Sequence, residues 1–218
     1  MRLKTKYTMI KEIKIMKTFD PEKLHPRAFY SLFSGIMAPR LIAWVASLNE
    51  DKSVNIAPYS FFSGANTRPP MVVLSIGSIQ GIKKDTASNI LKEKECVIHM
   101  ADETMIKKMN VSAKKLKKNE SEAEVFNIEL IPSIKVKTPS IKDTIFQMEC
   151  TLHQHISLPQ NDMFILEVKQ LSIDEKYLKN GQIDVEAYHP LTRLMGNYYA
   201  THYDMKKLSH PDLDTIDE

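Results

Sequence analysis

Two long segments of alternating polarity constrain the fold of this chain most. Residues 144–157 (TIFQMECTLHQHIS) place mainly polar side chains on one side and mainly apolar side chains on the other. This period of two indicates a β-strand with one face toward water. Residues 162–173 (DMFILEVKQLSI) are the expected partner strand, joined to the first by a short link at 157–161. The pair predicts an antiparallel hairpin and therefore a fold rich in β-structure.

An earlier stretch, residues 39–62 (PRLIAWVASLNEDKSVNIAPYSFF), predicts two further strands. Residues 41–48 are nearly all apolar, 49–53 have the composition of a turn, and 54–57 are apolar again. Pro58 is expected to end the second strand, and residues 59–64 (YSFFSG) are expected to be irregular. Strand ends that open into hydroxyl groups and aromatic rings suit a flat, partly charged ligand.

The other predicted elements are short. Helices are expected from Asp20-Pro21 and over 25–33, 86–93 and 102–110. Strands are expected over 71–77, 96–100 and 126–130, and loops over 65–70 and 78–84. Residues 114–124 are expected to form a charged surface segment, and Asn180-Gly181 a tight turn. Six or seven strands with few long amphipathic helices predict a mainly β or α+β fold. Because closure removes exposed sheet edges, a closed or split barrel is the expected architecture.

Length and composition restrict the class of protein. The 218 residues fit one domain at 18–206, with a basic N-terminal extension at 1–17 that could reflect a misplaced start site, and a charged tail at 207–218. The net charge of +3 is too small to indicate nucleic-acid binding, and no run of 18 apolar residues predicts a membrane span. Cys96 and Cys150 lie in apolar segments, so we expect two core thiols in a reduced, cytoplasmic protein.

The tripeptide Lys84-Asp85-Thr86 precedes a predicted helix. The first turn of a helix has free backbone N–H groups and the positive end of the helix dipole, and a lysine and a threonine hydroxyl complete a candidate phosphate site. The alternative is a solvated helix cap with an exposed lysine. The tripeptide alone favours that alternative.

The histidines do not predict a metal site. His153 and His155 share one face of a predicted strand, but no third ligand accompanies them, so we expect an exposed strand face. His99 lies in an apolar strand and is expected to be a hydrogen-bonded core residue. The chain has no Walker motif and no G-x-G-x-x-G, G-x-S-x-G or H-E-x-x-H sequence.

The residue types around 40–60 suit an isoalloxazine ring. Such a ring needs apolar or aromatic packing, hydrogen-bonding groups along its polar edge and positive charge near N1. Groups of this kind come from Trp44, Ala57, Pro58, Tyr59 and Ser60, with charge from Arg40. On these residues alone, a barrel core with an adjoining loop is the favoured alternative.

Five blocks in order resemble one protein family. They are residues 39–47 (PRLIAWVAS), 54–62 (VNIAPYSFF), 69–77 (PPMVVLSIG), 83–90 (KKDTASNI) and 188–199 (YHPLTRLMGNYY). Each block alone is weak, but their order and spacing between residues 27 and 203 are fairly specific. The chain resembles the flavin reductase-like family, the FMN-binding split-barrel proteins that include flavoredoxin and the small reductase components of two-component monooxygenases.

The resemblance implies a homodimer with FMN at the subunit interface. It implies that Trp44, Val45, Ala46 and Ser47, together with Asn55, Ala57, Pro58, Tyr59 and Ser60, line the flavin and its ribityl chain, and that Ser75, Ile76 and Gly77 border the site. Lys84 and Thr86, on either side of Asp85, would hold the phosphate, and Arg193, Asn197 and Tyr198 would close the site. Because the chemistry lies in the cofactor, no catalytic acid or base is expected.

One departure from the family pattern leaves the electron route open. Short-chain flavin reductases often carry a late Gly-Asp-His motif linked to nicotinamide use, whereas this chain has Gly196-Asn197-Tyr198. The leading hypothesis is an NAD(P)H:flavin reductase or a flavoredoxin-like protein that passes electrons to an acceptor protein or monooxygenase component. The alternatives are an FMN-binding carrier without NADH or NADPH oxidation, and a haem-binding split-barrel protein that uses His153, His155 or His189.

Overall fold

The computed structural model describes residues 16–117 and 120–208. Within these ranges the helices are α1 (Pro26–Ile36), α2 (Asp85–Glu93), α3 (Ile106–Val111) and α4 (Glu122–Val125), with 3₁₀ turns at Glu103–Met105 and Glu175–Tyr177. The strands are β1 (Arg40–Leu41), β2 (Ala43–Leu48), β3 (Val54–Tyr59), β4 (Phe62–Thr67), β5 (Pro70–Gly77), β6 (Glu95–Met100), β7 (Leu130–Ile131), β8 (Ser140–Ile141), β9 (Phe146–Ser157), β10 (Asn161–Ile173), β11 (Leu178–Lys179), β12 (Gln182–Ile183), β13 (Thr192–Arg193) and β14 (Tyr199–Ala200).

An antiparallel sheet of seven strands organises the described part of the chain. Its strand order is β3-β2-β6-β9-β10-β5-β4, and β3 also lies against β5, so the sheet curls back toward its own edge. β9 and β10 form the long hairpin that the alternating pattern predicts. A small sheet with the order β1-β13-β14 joins the start of the domain to its late segment. The predicted mainly β fold with short helices is confirmed.

Strand β2 lies at the centre of the core and is buried along its whole length. Its side chains alternate between two apolar clusters, as the period of a strand requires. Ala43 and Val45 pack in the cluster that includes residues of α2, whereas Trp44 and Ala46 pack in the cluster that includes residues of α3 and α4. Helices therefore cover both faces of β2, which explains why its sequence is a continuous apolar run rather than an alternating one.

The core residues predicted from their apolar neighbours are confirmed. Cys96 and Cys150 are buried free thiols that face each other across β6 and β9, and burial raises the pKa of both. His99 is fully buried: Nδ1 lies 3.0 Å from the carbonyl oxygen of Trp44, and Nε2 accepts the N–H of Ile141 at 2.8 Å. Burial lowers the pKa of His99 to about 4, so the imidazole is neutral and Nδ1–H donates to Trp44.

The prediction that Pro58 ends its strand is wrong. Pro58 lies within β3, opposite Trp44 on β2. β3 is an edge strand of the large sheet, and an edge strand tolerates proline because one row of its backbone groups has no ladder partner. The irregular segment and loop expected over 59–70 is also mostly wrong, since residues 62–67 form β4.

Three further local predictions need correction. Residues 20–23 form a turn rather than a helix start, and α1 begins at Pro26, where Nδ1 of His25 accepts the N–H of Arg27 at 3.3 Å. The strand expected over 126–130 is reduced to the two residues of β7. Within the segment 114–124, expected to be a charged surface, Ser121, Glu122 and Ala123 are buried, and α4 begins at Glu122. By contrast, Asn180 and Gly181 form the predicted tight turn between β11 and β12, with positive φ angles of 53° and 75°.

The predicted N-terminal extension and charged tail lie almost entirely outside the described residues. Their boundaries stay predictions. Among the helices that the structure describes, none combines the length and hydrophobicity needed to cross a membrane.

Candidate functional site

Two neighbouring cavities meet at the end of β3. We call the first the helix cavity; it has a volume of about 330 Å³ and lies between β3, the start of α2 and residues 112–116. The second, the arginine cavity, has a volume of about 470 Å³ and lies between β1, α1, the end of β3 and residues 193–199. Pro58, Tyr59 and Ala113 line both cavities. Both volumes lie in the range of small-molecule sites.

A buried hydroxyl network surrounds Thr86 in the helix cavity. Oγ1 of Thr86 accepts two hydrogen bonds, from Nδ2 of Asn55 at 2.7 Å and from the hydroxyl of Tyr59 at 2.9 Å. A hydroxyl group has two acceptor lone pairs and one proton, so both acceptor positions of Thr86 are filled. The Thr86 proton is therefore oriented to donate, and burial also raises the pKa of Tyr59 to about 12, which keeps Tyr59 a donor as well.

Further amide contacts fix this network in place. Nδ2 of Asn55 also lies 3.1 Å from Oγ of Ser47, and Nδ2 of Asn89 lies 3.1 Å from the same oxygen. Asn89 reaches the side chain of Asn49 at 2.9 Å. Ser47 thus lies behind the helix cavity and supports Asn55, although it does not line the cavity itself.

The start of α2 is open toward the helix cavity. The helix begins at Asp85, as predicted to within one residue, and the preceding Lys84 makes no side-chain cap. The first-turn N–H groups are thus left without a capping side chain, and the positive end of the helix dipole faces the cavity. Asp85 and Thr86 both line this cavity.

The two adjacent lysines at this helix start differ in their partners. Nζ of Lys83 pairs with the buried carboxylate of Asp162, which also accepts Nε2 of His155 at 2.7 Å. Lys84 has no carboxylate partner among the described residues, and its ammonium group lies 5.2 Å from the ring centre of Tyr59. Although Lys84 is exposed as a residue, partial desolvation of its ammonium group lowers its pKa. Lys84 is therefore the lysine that remains available to an anion.

Sequence reasoning missed the role of the start of α4. Oε2 of Glu122 accepts the N–H of Ile56 at 2.8 Å, and Oγ of Ser121 donates to the carbonyl of Val54 at 2.7 Å. These two side chains satisfy the free edge of β3, and burial raises the pKa of Glu122. No local pattern could reveal this contact, because the bonded residues are more than 60 positions apart in sequence.

Two arginines lie side by side in the arginine cavity. Arg40 on β1 is the direct cross-strand partner of Arg193 on β13, and both line the cavity. Arg40 donates to Ser60 Oγ at 3.3 Å, to the carbonyl of Leu194 at 2.9 Å and to the carbonyl of Ser34. Arg193 donates to the hydroxyl of Tyr199 and to the carbonyl of Gly196.

The late segment contributes unequally to this cavity. Asn197 lines the arginine cavity together with Tyr199, whereas Tyr198 is 71% exposed and does not line it. The hydroxyl of Tyr199 also donates to Oδ1 of Asn110 at 3.2 Å, which ties β14 to the end of α3. The structure thus brings Arg40, Ser60, Arg193 and Asn197 together from segments far apart in sequence.

Several residues assigned to the flavin do not reach either cavity. Trp44, Val45 and Ala46 are fully buried in the core, and Nε1 of Trp44 donates to Oγ of Ser112 at 2.9 Å. On β5, Ile76 belongs to the core, and Oγ of Ser75 accepts Nδ2 of Asn161 at 2.9 Å beside Gly77. The assignment of these residues to the flavin rests on the resemblance alone.

The histidines form no metal centre in the described part of the chain. His153 is exposed, whereas His155 binds Asp162 and stacks on Phe164 with ring centres 5.2 Å apart. Burial opposes ionisation of Asp162, but hydrogen bonds from Lys83 and His155 hold its pKa below the usual value. No group of three or more His, Cys, Asp or Glu side chains among residues 16–117 and 120–208 could hold a metal ion.

Comparison with known proteins identifies the family. The model of the flavin reductase-like domain matches residues 37–202. The chain belongs to the flavin reductase-like family. Among curated relatives, the uncharacterized protein YwrF of Bacillus subtilis is 34% identical over 193 residues, which cover 85% of this chain and 94% of YwrF.

Solved structures of this flavin reductase-like family are similar over most of the chain. Nitrilotriacetate monooxygenase component B from Bacillus cereus is 31% identical, with a TM-score of 0.87, 90% of this chain and 100% of that chain covered. The 2-nitrobenzoate 2-nitroreductase NbaA of Pseudomonas fluorescens is 29% identical, with a TM-score of 0.83 and coverage of 90% and 98%. A protein of Shewanella frigidimarina with a split barrel domain shares the fold at 16% identity, with a TM-score of 0.76 and coverage of 87% and 95%. The predicted family and its split-barrel fold are confirmed.

Proposed function

We propose that this flavin reductase-like protein binds FMN across the two cavities and uses it to pass electrons from NADH or NADPH to an acceptor. The observation that carries the proposal is the helix cavity. The open helix start, the donor hydroxyl of Thr86 and the ammonium group of Lys84, which has no carboxylate partner among the described residues, converge on one space. This combination of donors and positive charge suits a single phosphate group.

The residues of this chain fit FMN at both ends. Lys84, Thr86 and the N–H groups of α2 would hold the phosphate. Pro58 and Tyr59 line both cavities, so a ligand anchored in the helix cavity would extend past them toward Arg40 and Ser60. There Pro58 and Tyr59 would pack against the ring, and Arg40 would supply positive charge near its polar edge, with Arg193 and Asn197 closing the site.

Within this proposal the protein positions and tunes rather than performs acid–base chemistry. When bound, FMN supplies the transfer of hydride and electrons. The buried network of Asn55, Tyr59 and Thr86 would hold the phosphate anchor rigid, because Asn55 and Tyr59 both donate to the hydroxyl of Thr86 and fix its position. The neutral, buried His99 and the two core thiols lie away from the cavity linings and take no part in the chemistry.

The proposed partners follow from relatives that work in pairs. Component B, to which this chain is 31% identical, is by name one part of a monooxygenase. We therefore propose an acceptor protein or a monooxygenase component as the recipient of electrons. We also propose a homodimer, supported by the exposed side chains of Tyr30, Phe33 and Ile36 on α1 beside the arginine cavity. Sedimentation velocity measures that assembly directly.

The absorbance spectrum of the purified protein after incubation with FMN and gel filtration tests cofactor binding. A flavin spectrum that elutes with the protein supports the proposal, and a colourless protein contradicts it. A haem absorption band in place of the flavin spectrum would instead favour the haem-binding alternative.

Anaerobic mixing of the flavin-loaded protein with NADH or NADPH then tests the electron route. Rapid loss of the flavin absorbance identifies a reductase. A bound flavin that neither nucleotide bleaches identifies a carrier that receives electrons from another protein.

A further inference from the structure

The arginine cavity holds more positive charge than its surroundings compensate. Arg40 and Arg193 are direct partners across β1 and β13, an arrangement in which side chains point to the same face and like charges destabilise the pair. Neither guanidinium group has a carboxylate partner among residues 16–117 and 120–208, and no acidic side chain lines the cavity. Such a pair is expected where an anion binds between the two groups.

Both guanidinium groups keep free donors. A guanidinium group carries five N–H bonds. Arg40 uses three of them, toward Ser60, Ser34 and Leu194, and Arg193 uses two, toward Tyr199 and Gly196. These bonds fix the orientation of each group without exhausting its donors, so two planar donor groups are already positioned before a ligand arrives.

The walls of the cavity favour a flat ligand. Tyr30, Tyr59 and Tyr199 contribute aromatic side chains, and the amides of Asn110 and Asn197 contribute polar edges. A planar carboxylate matches the paired N–H bonds of a guanidinium group better than a spherical ion does. Together the two guanidinium groups carry more charge and more free donors than the polar edge of the flavin needs, so the pair can also bind a second anion.

We propose that the arginine cavity is a binding site for a planar aromatic carboxylate, held by Arg193 together with Arg40. This inference rests on the proposed function in one respect, namely that a flavin ring packed against Pro58 and Tyr59 lies beside the carboxylate. The carboxylate site itself is inferred from Arg40 and Arg193 alone. It would make an aromatic acid, rather than a neutral aromatic compound, the preferred small-molecule ligand of the flavin-loaded protein.

Calorimetric titration with benzoate and with benzamide tests this site on the full chain, with and without FMN. Benzamide has the shape of benzoate without its charge. We expect benzoate to bind at least tenfold more tightly than benzamide, and alongside FMN. Arg193→Gln and Arg40→Gln should each weaken benzoate binding about tenfold, and Arg193→Lys should restore part of the loss. Arg68→Gln, the same change at an exposed turn outside both cavities, should have no effect.

Three results would overturn the proposal: equal binding of benzoate and benzamide, unchanged benzoate binding in both glutamine variants, or displacement of benzoate by FMN. Circular dichroism of each variant, with Arg193→Lys as the milder change, separates loss of the site from loss of folding. If FMN fails to bind while benzoate keeps its preference over benzamide, the proposed function fails and the carboxylate site stands. If FMN binds and benzoate does not, the reverse holds.

Discussion

The hydroxyl of Tyr59 donates a hydrogen bond of 2.9 Å to the hydroxyl of Thr86 and joins the end of β3 to the first turn of α2. Asn55 fills the second acceptor position of Thr86, so the hydroxyl proton of Thr86 must point away from both neighbours and can donate to a ligand. A buried donor at the start of a helix discriminates between ligands by whether their atoms accept or donate a hydrogen bond. It favours phosphate oxygens, which only accept, over ligand groups that donate.

Replacement of Thr86 by valine tests this assignment. Thr86→Val keeps the shape of the side chain but removes the hydroxyl, both its proton and the oxygen that accepts from Asn55 and Tyr59. We expect FMN binding to weaken by about 1–3 kcal/mol, the usual effect of a lost hydrogen bond to a charged group. Thr86→Ser keeps the hydroxyl and should bind FMN nearly as well as the unaltered protein. Quenching of FMN fluorescence measures both constants. Equal affinity of the valine and serine variants would remove the Thr86 proton from the site.

Lys84 is the second anchor to test. We expect Lys84→Ala to weaken FMN binding by about 1–3 kcal/mol, because the variant loses a charge-assisted contact to the phosphate. Lys92→Ala is a matched control, since Lys92 lies at the other end of the same helix and pairs on the surface with Glu50. Equilibrium dialysis with FMN compares the two. An effect of similar size in both variants would indicate general charge attraction rather than a phosphate contact.

The lowered pKa of Lys84 predicts how FMN binding responds to alkaline pH. Partial desolvation favours the neutral amine, so Lys84 loses its proton at a lower pH than an ordinary lysine, whose pKa is about 10.4. The FMN phosphate is a dianion above about pH 6 and needs the protonated amine. The dissociation constant should therefore begin to rise at a pH below the one at which an ordinary lysine loses its proton. In Lys84→Ala this rise should be absent, and a rise that persists would assign it to another group.

The free energy of unfolding should decrease at acidic pH because His99 is buried in its neutral form. The pKa of this buried imidazole is about 4, whereas in the unfolded chain it is about 6.5. Between these two pKa values the unfolded state binds more protons than the folded state. The contribution of neutral His99 to the free energy of unfolding is therefore fully present above pH 6.5. As pH falls toward 4, about 3 kcal/mol of it is lost. Urea unfolding between pH 4.5 and 7.5 measures the slope. His99→Gln offers one donor and one acceptor without titrating, and its slope should be shallower.

Local periodicity explains which parts of the fold the sequence could predict. The hairpin of β9 and β10 and the start of α2 at Asp85 follow from patterns within a few residues, and both are observed. Pro58 was misinterpreted because its tolerance depends on β3 lying at a sheet edge, which is a property of the assembled sheet. The same limit explains the missed contact between Glu122 and Ile56, which sequence spacing does not encode.

The predicted segments supply walls of the two cavities more consistently than the individual predicted side chains do. The blocks around Tyr59, Thr86 and Arg193 do supply cavity walls, but within one block the period of a strand sends neighbours in opposite directions. Helices cover both faces of strand β2, so Trp44 and Ala46 lie in the core instead of at a surface. Choosing between the faces of a strand requires knowledge of what packs on each of them.

The two cavities share few lining residues, so one of them can change in sequence while the other stays the same. The helix cavity takes no residue from the late segment 193–199, which lines the arginine cavity alone. Substitutions at Asn197 or Tyr199 should thus change the arginine cavity without altering the proposed phosphate site in the helix cavity. Tyr59 lines both cavities, so a change there should affect both proposed binding sites together. Laboratory evolution toward new acceptors should accumulate changes in the late segment and leave Tyr59 untouched.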